Sequence, residues 1–409
     1  MSLVSTKTPI FDDIPSIEFF NGRLLSGEDM TTEQAWNAAR RKLLGQALGS
    51  GVAFGLEVSV STKTEHAGKP IVTVEPGLAL NAEGATLSLT ERTDVSLVRI
   101  EEIETVPAEF AACEPTQYSA YVKSDGVFLL TLCPAKGTQG RAPVSGLDNQ
   151  EARCNRKYRR EGVQFRLHQL RLNEADLADR NKLRNLVAYK CFNPDAWQVF
   201  VTDPFGAPDT KPKLLDGLLV PKLEDSEVPL ATIFWTTDGG IEYVDLWSVR
   251  RRITRLNTAD RQNPLPNTEL FEQGQVRVFQ FVEHVVDLLD QFGGAELLPI
   301  GDYFPYIPPA AHIPVRDLHS PNGIRPATFF SGFARTSSGR ISADATRKLI
   351  FLSYLSSPTD IRTAPCLQRY EIEENVLAAR DGSVQQRVDL VVDRSILLPD
   401  VHDDVTTVF

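Results

Sequence analysis

From Ser26 onward the apolar residues Met30, Trp36, Ala39, Leu43, Leu44 and Ala47 recur close to helical spacing. Ser26 stands before Gly27-Glu28-Asp29, a capping-box-like start with acids in the first turn. Arg40, Arg41 and Lys42 lie toward the other end, where cations suit the helix dipole, and Gly49 and Gly51 supply a stop. The pattern predicts one helix over residues 27–48.

After Gly51 the period falls to two. GVAFGLEVSV, KPIVTVEPGLAL and ATLSLTERTDVSLV read as strands, with Asn81-Ala82-Glu83-Gly84 as the turn between the last two. SAYVKSDGVFLLTLCPA continues the pattern through a turn at Asp125-Gly126, and Lys136–Asn155 reads as a polar, Gly-rich loop. GVQFRLHQLRL is another strand, and Asn173 caps a helix with Leu177 and Leu183 among its inward positions. Pro204–Pro221 reads as a connector into VPLATIFWTTDGGIEYVDLWSVRRRI, whose Asp238-Gly239-Gly240 marks the clearest hairpin.

A Pro- and Asn-rich stretch, Asn257–Asn267, marks a boundary. Beyond it Val278, Phe281, Val282, Val285, Leu288, Leu289 and Phe292 form one face of an amphipathic helix closed by Gly293-Gly294. GDYFPYIPPAAHIPV has few backbone donors and cannot be a central strand. RKLIFLSYL and CLQRYEIEENVL read as later strands.

These elements predict an α+β, β-rich multidomain protein: a capped N-terminal helix packed on an antiparallel sheet, a hairpin-rich middle and a mixed C-terminal part. The expected divisions are 1–120 (helix plus β domain), 121–256 (β-rich, with the 229–245 hairpin) and 268–409 (mixed).

Composition narrows the function classes. The net charge of −11 disfavours a nucleic-acid or anionic-membrane partner. Five widely spaced cysteines without a C-x-x-C pair fit reduced thiols in the cytoplasm. With no secretory signal and no apolar run near the roughly 20 residues of a membrane span, synthesis and assembly are expected in the cytoplasm.

Candidate chemistry is sparse. His312 and His319 flank Asp317, and His402 sits among Asp400, Asp403 and Asp404, but no ligand-spaced metal pattern is present. Glu101-Glu102 and Glu371, Glu373 and Glu374 are paired acids of the kind glycosidases use, and equally the kind that covers ordinary surfaces. GSGVAFG follows a helix and enters a strand, the reverse of a phosphate-binding loop. Cys133 and Cys154 have no persuasive histidine partner. The expectation is therefore a protein that is not an enzyme, with no cofactor and no metal. The aromatics of IPSIEFF and GDYFPYIPP instead suit a partner surface or a sugar platform.

One resemblance sharpens this. FFNGRLLSGEDMTTEQAWNAARRKLLGQALGSGVAFGLEV, followed by VTVEPGLALNAEGATLSL, resembles the N-terminal region of accessory proteins of phage-tail-like contractile injection systems. It rests on Phe20, Gly22, Arg23, Leu24, Leu25, Glu33, Gln34, Arg40, Arg41, Leu43, Gly51, Val52, Gly55, Leu56, Val58, Pro76, Gly77, Ala79, Leu80 and Gly84. The chain departs from the commoner pattern at Ala53-Phe54 and at Leu44-Gly45-Gln46. Pro229, Leu230, Ala231, Gly239, Gly240, Asp245 and Arg250 resemble a hairpin of phage tail and baseplate-attached proteins, and YFPYIPPAAHIPV is a weaker echo.

The resemblance implies a non-catalytic structural subunit of such a particle, baseplate-associated or forming a cage or extension around the spike. Implied partners are the baseplate, spike and sheath proteins and further copies of the chain, as a trimer or six-fold ring. A cell envelope would be met through the particle, which is membrane-anchored or released by lysis. Phe20, Arg23, Trp36, Arg40, Arg41, Tyr303, Phe304 and Tyr306 are the expected interaction residues. The competing readings are a tail-fibre-like carbohydrate- or surface-binding module and a particle-borne cell-wall hydrolase.

Overall fold

A computed structural model describes residues 16–64, 69–98, 125–141, 156–192, 215, 217–253, 268–292, 299–316, 322–332, 338–363, 365–372 and 387–397. Glu101-Glu102, Cys113, Cys154, the Asn257–Asn267 stretch, Gly293-Gly294, Asp317, His319, Glu373, Glu374 and His402 lie outside them.

Helix α1 spans Gly27–Leu48 as the spacing predicts. Ser26 accepts from the Asp29 N–H and Asp29 accepts from the Ser26 N–H, closing a capping box. Gly49, at φ 97°, ends it.

The three strand-like runs that follow each bend once and become two strands. The first gives β1 (Gly51–Gly55) and β2 (Val58–Val60), and the second gives β3 (Ile71–Val74) and β4 (Gly77–Leu80). The third gives β5 (Thr86–Leu89) and β6 (Thr93–Ser96). Each run contributes one strand to each of two antiparallel sheets, ordered β1-β4-β5 and β2-β3-β6. Strands that switch sheets need bends at matching positions. Here Gly55 (φ 63°) and Leu56 (φ 60°) supply one, opposite Pro76-Gly77 in the next run. A Cβ on Gly55 would stand 2.0 Å from the Pro76 carbonyl oxygen, so only glycine allows the approach.

A four-stranded sheet follows, ordered β10-β9-β7-β8, from β7 (Gly126–Arg141), β8 (Arg156–Gln169), β9 (Val228–Thr236) and β10 (Gly240–Asp245). Its period-2 pattern buries both faces. Phe128, Leu130, Leu132, Leu230 and Ile233 pack with Val52, Leu56, Val74 and Leu87 of the N-terminal sheets in one core. Val127, Leu129 and Phe234 face the other way, onto Leu183, Val187 and Cys191 of α3 (Arg180–Cys191). The expected helix after Asn173 is thus two helices, α2 (Glu174–Ala178) and α3, divided at Asp179, which caps the second. The expected loop from Lys136 is corrected as well. The strands continue to Arg141 and resume at Arg156, because backbone pairing from Lys136↔Glu161 to Arg141↔Arg156 carries polar residues as readily as apolar ones.

The C-terminal part is a four-stranded sheet between helices. Its order is β12-β16-β15-β13, from β12 (Ala310–Val315), β13 (Ser338–Ile341), β15 (Leu367–Ile372) and β16 (Arg387–Asp393); the two-stranded β11–β14 pair (Tyr306–Ile307 with Thr359–Asp360) lies beside it. Pro314 sits in β12, an edge strand, as its missing donor requires. Ala311, Ile313, Val315 and Val391 face Val278, Phe281, Val285, Leu288 and Leu289 of α4 (Thr268–Gln291). Ala310, Leu390, Val392 and Tyr370 face Ala345, Leu349 and Ile350 of α7 (Ala343–Tyr354). RKLIFLSYL, read as a strand, is part of α7: Leu349 and Ile350 are buried one turn from Ala345 and Ser353, a helical period. Three short helices, α5 (Ile300–Tyr303), α6 (Pro326–Phe329) and α8 (Arg394–Leu397), and a 3-10 turn (Ile361–Thr363) complete the described elements. The architecture is α+β and β-rich with several antiparallel sheets, and no helix among the described residues is long and apolar enough to cross a membrane.

Candidate functional site

The expected interaction residues fall into two groups with different surroundings. In the first, Arg23 donates to Asp29 at 2.8 Å and to the Glu18 carbonyl at 2.6 Å, with its guanidinium 5.9 Å from the Phe20 ring. This cluster fixes the chain's entry into α1. The backbone N–H and hydroxyl of Ser26, with Arg23, hold the Asp29 carboxyl below the usual range. One turn apart, Arg40 covers the Trp36 ring at 5.5 Å, and Arg41 is exposed.

What α1 lacks is burial. Gly45 is its only buried residue. It rests on the β4–β5 turn, where Lys42 bonds Glu83 at 2.9 Å. Phe20 (65% exposed), Leu24 (93%), Leu43 (48%), Leu44 (67%) and Leu48 (62%) all face solvent. The helix meets the sheet mainly at Gly45 and the Lys42–Glu83 pair, and leaves its leucines outward.

The second group is buried or half-buried. Phe304 is 1% exposed, its ring 5.0 Å from Phe281 and 4.6 Å from His284. As an interaction residue it is a correction: the proline-rich segment turns it into the core of the C-terminal part. Tyr303 packs on the same core beside Phe292. Tyr306 stacks on Tyr189 with ring centroids 3.5 Å apart, accepts from Arg362 at 2.6 Å and donates its N–H to Asn185 at 2.9 Å. It joins α3 to the β11–β14 pair.

Beside that joint lies a buried polar network that the spacing of residues did not announce. Arg184 donates to Asp245 at 2.9 Å and to Asp287 at 2.6 Å; Gln280 donates to the same Asp245 oxygen at 3.0 Å. The Ser248 N–H donates to Asp245's second oxygen at 2.9 Å. The network links α3, the end of β10 and α4. Trp247 adds a bond to Glu283, whose carboxyl burial raises above its ordinary range. Burial, with the Arg184 cation nearby, pushes His284 well below the ordinary histidine value. Burial likewise pushes Tyr243 well above its own, and lowers Arg277 to about 10.

A second network centres on buried Glu227, which accepts from Thr131 at 2.6 Å and Arg166 at 2.9 Å and bonds His168 at 2.7 Å. Burial opposes its charge, but His168, Thr131 and Arg166 outweigh it and hold the carboxyl low. Cys133 is no nucleophile partner for this histidine. It pairs with Gln164, while His168 pairs with Leu129, four residues or about 13 Å along the strand. Burial also raises its thiol pKa. Glu371 bonds Arg387 at 2.7 Å, so its charge is matched within the sheet. His312 lies on β12, and burial lowers its pKa. Among the described residues no group of three metal-ligating side chains converges.

The glycines and charges of the two resembling motifs meet each other. Val52 donates its N–H to the Arg251 carbonyl at 2.8 Å, and Arg250 donates to the Gly55 carbonyl. Asn81 donates to the Ser226 carbonyl at 3.1 Å. These positions lock the N-terminal sheets onto the central hairpin. Against protein-family models and curated proteins, the chain finds no match.

Proposed function

We propose that this chain is a non-catalytic structural subunit of a phage-tail-like contractile injection particle, baseplate-associated or forming a cage or extension around the spike. The observation that carries the reading is α1: twenty-two residues, capped at both ends, with one residue buried. A helix in water draws most of its stability from packing an apolar face. Leu43, Leu44 and Leu48 of the helix, with Phe20 and Leu24 just before it, are instead left exposed among the described residues. A neighbouring subunit is the natural cover, and many copies around a symmetry axis would multiply a modest contact.

The motif residues support the same reading through what they touch. Gly51, Gly55, Gly77 and Gly84 each stand where a Cβ would strike backbone, and Asp245 and Arg250 hold the scaffold together. They build a rigid mount for a presented helix.

Electron microscopy of particles from a strain lacking this chain tests the proposal. Loss of a defined shell or baseplate density is expected. Unchanged particles would overturn it.

A further inference from the structure

Strand β9 stops pairing with β7 at Leu132, but β7 and β8 run on together. From Cys133↔Gln164 to Arg141↔Arg156 they form a two-stranded ribbon, with no third strand among the described residues. Nine residues at roughly 3.3 Å each reach about 30 Å beyond the end of β9. A ribbon of two strands is marginal in water and leaves both edges open.

Its charge is one-sided. Lys136, Arg141, Arg156, Lys157, Arg159 and Arg160 lie on it against Glu161. Arg159 and Arg160 are exposed with no ion-pair partner among the described residues, and Tyr158 beside them is 54% exposed. Counting the connecting residues, 134–163 carry seven Lys/Arg and three Asp/Glu, a net +4 in a chain of net −11, so the remainder carries −15. Charges on open strands do blunt strand-to-strand aggregation. Mixed signs would serve that purpose equally; a run of one sign also selects a surface of the other.

We infer that the ribbon is an electrostatic arm that docks on the net-acidic remainder of a second copy of this chain. Complementary charge is already present on the same molecule, and the −15 remainder repels nucleic acid that the arm alone could attract. Arm and acceptor are different surfaces, so the contact is head-to-tail and closes into a ring or continues as a chain. The inference supplies the copy-to-copy contact that an oligomeric particle component needs. It stands on the ribbon's charge, and association of the purified chain can hold even where particle imaging fails.

The full-length protein is measured by native mass spectrometry and light scattering at low and high salt. It is compared with Arg159→Glu/Arg160→Glu and, as a milder pair, Arg159→Gln/Arg160→Gln. Thermal melts identify folded variants. The wild type should self-associate at low salt and dissociate as salt rises. Charge reversal should weaken association at least about tenfold, near 1.4 kcal/mol, with neutralisation in between and melting unchanged. Amine-to-carboxyl cross-links from Lys136 or Lys157 should reach acidic residues of another copy. A wild type monomeric at every salt, or a folded reversal variant that associates as tightly, would overturn the inference. So would association abolished by nuclease, which would reassign the arm to nucleic acid.

Discussion

A Cβ placed on Gly45 would come within 2.1 Å of the Gly84 carbonyl oxygen. The two glycines are the joint on which α1 stands, and Gly45 belongs to the segment that departs from the commoner injection-system pattern. Gly45→Ala should lift the helix from the β4–β5 turn and separate Lys42 from Glu83. Overpacking of this kind costs about 1–3 kcal/mol. Hydrogen exchange is expected to quicken at residues 42–49 and 82–85 while the rest of the fold keeps its protection. Unchanged exchange at the turn would show that the joint tolerates a methyl group.

Glycines that lie against neighbouring backbone should behave differently from one in open space. Gly51→Val places a side chain at φ 138° and within 2.5 Å of the Arg252 carbonyl oxygen; Gly55→Ala meets Pro76 at 2.0 Å. Gly22→Ala carries left-handed backbone strain at φ 91° with nothing within 4 Å. The first two should impair folding or assembly, and Gly22→Ala should cost only about 1–2 kcal/mol. Denaturant melts of the three proteins check the order, and equal losses would defeat the explanation by contact.

These positions also show how far the sequence could be read. Helix α1 was legible to the residue because cap, apolar spacing and glycine stop coincide in one segment. Its exposure was not, since spacing gives a face and says nothing of what covers it. The bends at Gly55-Leu56 and Pro76-Gly77 were hidden inside strand-like runs, because a strand that switches sheets keeps its period on both sides. Phe304 looked like surface in a proline-rich segment, and only the placement of α4 buries it. Arg184 finds Asp245 61 residues away and Asp287 103 residues away, separations that leave no local pattern.

That Arg184–Asp245 pair should be costly to break and cheap to replace. Asp245 is 1% exposed and Arg184 7%, so removing either leaves a buried charge. Asp245→Leu alone should destabilise by about 3–5 kcal/mol. Arg184→Met/Asp245→Leu removes both charges and should lose less than the single change, although Gln280 and the Ser248 N–H also lose an acceptor. A double-mutant cycle by urea denaturation measures the coupling. A double variant worse than the sum of the singles would mean the network is held by bonds other than this pair.

Phe20 and Phe304 separate surface from core within the expected interaction set. Phe304→Ala empties a site between Phe281 and His284 and should cost about 3–5 kcal/mol. Phe20 is 65% exposed, so Phe20→Ala should change stability by no more than about 0.5 kcal/mol. On the particle reading it should still reduce incorporation, scored by the amount of the chain that co-purifies with assembled particles. Full incorporation of Phe20→Ala would remove this residue from the interface.

His284 gives the fold an acid-side weakness with a definite sign. Its ring is buried, its Nδ1 has no hydrogen-bond partner among the described residues, and its pKa lies well below the ordinary value. Above about pH 6.5 the ring is neutral in folded and unfolded chains alike and adds no pH dependence. As pH falls through that value, the unfolded chain binds a proton that the folded one refuses. Stability then declines, by up to about 1.4 kcal/mol per pH unit, until the folded-state pKa is reached. His312, also lowered by burial, adds slope of the same sign. Glu283, raised by burial, adds the opposite slope in its own range above the ordinary carboxylate value. Comparison with His284→Leu isolates the one ring, because the leucine cannot titrate. Between about pH 6.5 and 5, the range just below the onset, the variant's urea midpoint should fall less steeply than the wild type's. Parallel curves for the two proteins would mean that His284 takes up its proton as readily in the folded chain as in the unfolded one.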